Sequence, residues 1–155
     1  MIAKIEYLAD YPEFIPQIAT WYFTEWGHKQ LDNSIERTCA GLRSKLNRGR
    51  APIPIIALAG GKLIGAAQLK IREMDIYPDR EFWFGALYVD STARRQGVGE
   101  LLAKRIESIS KQLGIAELFL QTERLDGGLY AKIGWRLIEH IHYDGAQVAV
   151  MCKQL

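Results

Sequence analysis

The chain has 155 residues, 48% of them hydrophobic and 25% charged, with a formal net charge of +2. That length suits one domain with a sizeable core, and so small a charge argues against nucleic acid or an anionic membrane as the main partner. Cys39 and Cys152 lie far apart and read as free thiols, which favours a reducing compartment. His28, His140 and His142 form no ligand set with them, so no metal is expected. No charged-then-apolar leader opens the chain and no apolar run could span a membrane. The expected location is cytoplasmic.

Residues 3–8 read as a first strand. Pro12 suits a helix start, and Phe14, Ile15, Ile18, Trp21 and Tyr22 recur at helical spacing to about Phe23. A loop from Thr24 to Gln30 follows. Asp32, Asn33 or Ser34 then caps a second helix reaching about Asn47. Ile53 to Ala59 reads as a buried strand, Gly60-Gly61 as a hairpin turn, and Lys62 to Ile71 as the partner strand. Residues 73–80 form a polar connection. Phe82 to Val89 is the next strand. A helix over 97–113 places Val98, Leu101, Leu102, Ile106, Ile109 and Leu113 on one face, and Gly114 stops it. Ile115 to Leu120 is a short strand, expected parallel to the preceding one. Leu125 to Ile133 is a short helix. Trp135–Tyr143 and Gln147–Lys153 close the chain as a hairpin around Asp144-Gly145. The order β-α-α-β-β-β-α-β-α-β-β implies an α/β fold with a mixed central sheet.

The most informative segment joins the strand ending at Val89 to the helix that follows. A helix start leaves backbone N–H groups without partners and carries partial positive charge, which suits a phosphate. Arg94 and Arg95 add formal charge. The turn is not a P-loop, because no Gly-Lys-Ser/Thr occurs. It is not a dinucleotide fingerprint either, because Leu102 stands where the third glycine belongs. What remains is Arg94-x-x-Gly97-x-Gly99 after a strand.

That pattern resembles the acetyl-CoA loop of the GNAT superfamily of N-acetyltransferases. A second segment, Leu129-Tyr130-Ala131-Lys132-Ile133-Gly134-Trp135, resembles a later motif of the same family, one helix and one strand downstream. There are departures. Ser91 stands where the family often has Pro, and Arg95 where it often has Gly. An Asn often found after the following strand is not evident near Thr122-Glu123-Arg124.

The resemblance implies a single domain over residues 1–155, with the GNAT arrangement of elements. It implies acetyl-CoA as cosubstrate, its pyrophosphate held by Arg94, Arg95, Gln96, Gly97, Val98 and Gly99. The main-chain edge at Leu87, Tyr88 and Val89 would pair with the pantetheine arm as an added strand does. Tyr130 would protonate the departing thiolate, a role within reach of a phenol. An alkylammonium with a pKa near 10.4 is only about 0.1% neutral at pH 7.4, whereas an α-amine near 7.7 needs little help. A lysine-type acceptor therefore calls for a base. Glu81, just before the strand Phe82–Val89, is the expected one, with Glu73 and Asp75 as rivals. Glu25, Trp26 and Trp83 are the expected acceptor contacts, since aromatic faces and carboxylates attract cations. Trp83 could equally fill a sheet face.

The expected activity is direct transfer of an acetyl group to a primary amine. The partners are then a small-molecule or protein amine and, as one option, a second copy of the chain. The alternative is a non-catalytic acyl-CoA-binding sensor of the same fold.

Overall fold

The computed structural model describes residues 2–155. Strand β1 is Lys4–Tyr7, helix α1 is Ile15–Glu25 and helix α2 is Ile35–Arg43. Strands β2 (Ile53–Ala59), β3 (Lys62–Ile71) and β4 (Phe82–Val89) follow. Then come α3 (Val98–Gln112), β5 (Glu117–Thr122), α4 (Gly128–Lys132), β6 (Arg136–Tyr143) and β7 (Ala146–Gln154). The seven strands hydrogen-bond in the order β1-β2-β3-β4-β5-β7-β6. This is the mixed α/β arrangement expected from the sequence, with β4 and β5 parallel and β7 inserted antiparallel between β5 and β6.

Several boundaries differ for identifiable reasons. Pro12–Phe14 is a 3-10 turn leading into α1, and Gly27–Lys29 is another where a loop is expected. Ser34 caps α2, its hydroxyl oxygen accepting the Arg37 N–H at 3.0 Å, as such residues do. That helix ends at Arg43 rather than near Asn47. The Ser44 hydroxyl there donates to the Gly41 carbonyl at 2.7 Å, a local bond that competes with helix continuation. β5 begins two residues late because Ile115 still closes α3, its N–H donating to Ser110 O at 3.0 Å. α4 is shorter than the expected 125–133. Arg124–Gly127 instead forms a turn, with Gly127 N–H on Arg124 O and Gly128 N–H on the Asp126 carboxylate.

The packing divides into two units. The first comprises residues up to Gln68 and Ala86–Leu102. Its core gathers Leu8, Ile15, Ile18, Leu42, Ile56 and Leu63, all buried. The second comprises Leu69–Gly85 and Ala103–Leu155, with a core of Met74, Trp83, Phe119, Val148 and Val150. No described helix is long and apolar enough to cross a membrane. Both cysteines are buried and free.

Candidate active site

In the first unit, β4 ends at Val89 and the chain enters a 3-10 turn at Ser91–Ala93. The Asp90 N–H anchors this exit on Ile64 O at 2.9 Å, and Ala93 N–H bonds Asp90 O at 2.8 Å. Buried Ala93 and Val98 pin the two ends, while Arg94 to Gly97 are exposed. The first bond into α3 runs from Leu101 N–H to Gly97 O at 3.1 Å. The amides of Gly97, Val98 and Gly99 therefore have no carbonyl one helical turn back. They open together at the positive end of the helix, as an anion site requires.

Gly97 sits at φ 81°, a conformation that favours glycine. Arg95 adopts φ 62° without being glycine. The left-handed region costs an L-residue on the order of 1 kcal/mol. The family's frequent Gly at this position thus has a physical counterpart here: the turn needs that backbone, and Arg95 bears the strain.

Arg94 also has a local structural role. Its Nε–H donates to Val89 O at 2.9 Å, and its guanidinium carbon lies 5.5 Å from the centre of the Tyr88 ring. It ties the end of β4 to the turn. Tyr88 is stacked on Trp21 at 4.8 Å, which fixes β4 against α1. Ala86 stands at φ 52° inside β4. A strand residue there breaks the regular pleat and re-aims the peptide groups that follow. Nothing in the sequence marks Ala86 for this.

Glu25 is exposed at the last residue of α1. Trp26 caps the same helix, 38% exposed, its ring 5.6 Å from that of buried Tyr22. His28 is exposed and bonds Phe23 O through Nδ1.

In the second unit, Tyr130 lies on α4. Its ring meets Phe84 at 5.8 Å and Trp135 at 6.2 Å, both edge to face. Burial, and secondly the negative charge of Glu73, push the phenol well above its ordinary pKa. It is therefore protonated at any physiological pH, as a proton donor must be.

The carboxylate that acts on Tyr130 is thus Glu73. Its side chain is 12% exposed and bonds Lys70 Nζ at 2.7 Å. The other carboxylate oxygen accepts from Gln121 Nε2 at 3.3 Å. Gly85 makes this arrangement fit. A Cβ there would lie 2.6 Å from Glu73 Oε1 and 2.8 Å from Lys70 Cδ. Lys70, Gln121 and Gly85 were not singled out in the sequence, and no spacing rule joins them.

Two expected residues are placed elsewhere. Glu81 has a half-exposed side chain facing Arg72 at 3.4 Å, and it lines an open cleft with Asp79, Leu113 and Glu117. Glu73, not Glu81, is the carboxylate whose charge raises the Tyr130 phenol. Trp83 is fully buried, packed on Tyr77 at 6.3 Å and Phe119 at 5.6 Å, with Nε1–H donating to Arg80 O. It fills the sheet face and has no surface for an acceptor. Asp75, the other rival, accepts from the Tyr143 hydroxyl at 2.9 Å. Among the described residues no cluster of His, Cys, Asp and Glu could hold a metal ion.

A model of the acetyltransferase (GNAT) family matches residues 8–135. The chain belongs to the GNAT acetyltransferase family. Its fold is similar to that of aminoglycoside 6'-acetyltransferase type Ii (18% identity, 99% of this chain and 97% of that one, TM-score 0.73). An aminoglycoside 6'-N-acetyltransferase complexed with coenzyme A is similar at 15% identity, with the same coverage and a TM-score of 0.74. A GNAT-family acetyltransferase from Streptococcus pneumoniae is 16% identical over 99% of both chains, with a TM-score of 0.72. Identities this low establish the GNAT fold and leave substrates open. Comparison with curated proteins gives no significant sequence match.

Proposed function

We propose that the whole chain acts as one domain that moves an acetyl group from acetyl-CoA to a primary amine. The observation that carries this is Tyr130: a phenol kept protonated, boxed by Phe84 and Trp135, and under the influence of a fixed carboxylate. An inert surface turn has no need of such a group. The family and the open amides of Gly97, Val98 and Gly99 support coenzyme A as the donor's carrier, since a pyrophosphate fits amides at a helix start. Arg95 supplies charge beside it, and Gln96 and the β4 edge at Leu87–Val89 extend the same surface.

In this reading the amine nitrogen attacks the thioester carbon. The tetrahedral adduct collapses, the carbon–sulfur bond breaks, and the sulfur takes the Tyr130 proton. The attacking nitrogen loses its proton to a base. Glu73 fits that position better than Glu81, because it is the carboxylate acting on Tyr130, and it can first attract the acceptor as an ammonium. Trp26 and Glu25 are proposed acceptor contacts, exposed at one helix end.

The test is thiol release from acetyl-CoA over a panel of amines: α-amino acids, polyamines, lysine peptides and aminoglycosides. The last are included because two proteins of similar fold are named for them. At least one amine should give stoichiometric thiol and N-acetyl product. If acetyl-CoA raises the melting temperature and no amine reacts, the protein binds the donor without transferring it. If acetyl-CoA gives neither a thermal shift nor a calorimetric heat, the donor assignment fails as well.

A further inference from the structure

A proton donor must be held in place, and Tyr130 has little local support. Its helix has only five residues, far too few to be stable alone. The Tyr130 carbonyl accepts two backbone bonds, from Ile133 N–H at 3.2 Å and Trp135 N–H at 3.0 Å. Between those two amides lies the Ile133 carbonyl. It accepts from Lys153 Nζ on β7 at 2.7 Å. Lys153 in turn pairs with Glu107 of α3 at 2.8 Å, the two side chains only 23% and 15% exposed.

We infer that the Glu107–Lys153 pair is a positioning device for Tyr130, acting through the Ile133 carbonyl. A half-buried ion pair is a poor investment for stability alone, because an apolar pair of similar volume does as well or better. This one is costlier still, since Glu107 Oε2 is buried with no hydrogen-bond partner among the described residues. What an apolar pair could not supply is a donor to the Ile133 carbonyl. With that carbonyl fixed, the peptide planes on either side are fixed, and with them the two amides that hold Tyr130 O. Phe84 and Trp135 then hold the ring. The clamp and the box orient the phenol from both ends.

The inference rests on Tyr130 being the proton donor, so its test has an arm that needs no turnover. The protein is prepared with 3-fluorotyrosine at position 130, as wild type, as Lys153→Met, and as the double variant Lys153→Met with Glu107→Leu. The double variant removes both charges together, so it separates the loss of the donor from the cost of a stranded buried charge. The ¹⁹F resonance of substrate-free protein should be shifted or broadened in both variants. On the amine found by the panel, the double variant should lose about 100-fold in kcat, as a misplaced catalytic group does, with the KM for acetyl-CoA unchanged within about twofold. In a Tyr130→Phe background the same double change should cost almost nothing further, because its effect runs through the phenol. An unmoved resonance in the folded double variant overturns the inference. So does an equal loss of kcat in both backgrounds. If wild type transfers no acetyl group at all, the proposed function falls, and the fluorine signal still decides whether the pair positions Tyr130.

Discussion

Gly85→Ala tests the carboxylate beside Tyr130 with a single methyl group. The added Cβ would stand 2.6 Å from Glu73 Oε1 and 2.8 Å from Lys70 Cδ, whereas ordinary contact begins near 3.4 Å. The carboxylate oxygen must therefore retreat from 2.6 to at least 3.4 Å. Lys70 Nζ holds that oxygen at 2.7 Å and Gln121 Nε2 donates to the other at 3.3 Å, so both bonds oppose the retreat. Overpacking of this kind costs about 1–3 kcal/mol. For a chain of this length that lowers the melting temperature by roughly 2–12 °C. Displacing the group by such a distance should also lower kcat by as much as about 100-fold, with little change in acetyl-CoA affinity. Differential scanning calorimetry and thiol-release kinetics measure the two effects on one preparation. A variant that melts within 1 °C of wild type and turns over equally would show that the packing of Gly85 does not hold Glu73 where the chemistry needs it.

Four further outcomes follow from the structure. Tyr130→Phe should reduce kcat by roughly 10²–10⁴, the range for a lost general acid, while calorimetry finds acetyl-CoA binding unchanged. The raised phenol pKa means the acid form persists below it and is lost only above it, so this group imposes no descending limb on wild-type activity through pH 9; a Tyr130-dependent fall below that pH contradicts the assignment. Stability should decline as pH rises past 10.0, the ordinary phenol value, because buried Tyr22 resists ionising while the unfolded chain does not; the slope reaches about 1.4 kcal/mol per pH unit, and urea titrations of Tyr22→Phe should be flatter there. Arg95→Gly relieves a left-handed backbone but frees the unfolded chain, effects of about 1 kcal/mol each that oppose one another. Unfolding should therefore shift by under about 1 kcal/mol, and the loss of one charge should weaken acetyl-CoA binding in a salt-dependent manner; salt-independent affinity would remove Arg95 from the phosphate site.

The sequence was most informative where local chemistry decides structure. β2, β3 and β4 begin and end where the apolar runs and Gly60-Gly61 place them. The glycine turn is legible because Gly97 stands at φ 81°, where glycine is favoured, right at the start of a helix. Trp83 was not assignable, because β4 carries aromatic residues on both faces and alternation cannot say which face meets a cleft. Ala86 was invisible for the opposite reason: alanine is not a turn residue, yet it stands at φ 52°.

The choice between Glu73 and Glu81 shows why one half of the candidate site is harder to read than the other. The two flank the connection between β3 and β4, and the backbone joins them directly, Arg72 N–H to Glu81 O at 2.7 Å. Proximity along the hairpin therefore does not separate them; their partners do. Glu81 faces Arg72 in water, while Glu73 turns inward to Lys70 on one strand and Gln121 on another. That inward turn depends on the absence of a side chain at Gly85, a residue with negative φ that no turn rule would pick out. A donor loop is built from consecutive residues around a phosphate chemistry that varies little, so its spacing survives in the sequence. The residues that act on the Tyr130 side chain are scattered, with Phe84 on β4, Glu73 just after β3 and Trp135 just before β6, and each is chosen by what it touches rather than by its neighbours in the chain. Their identity becomes readable only when the strands are laid side by side.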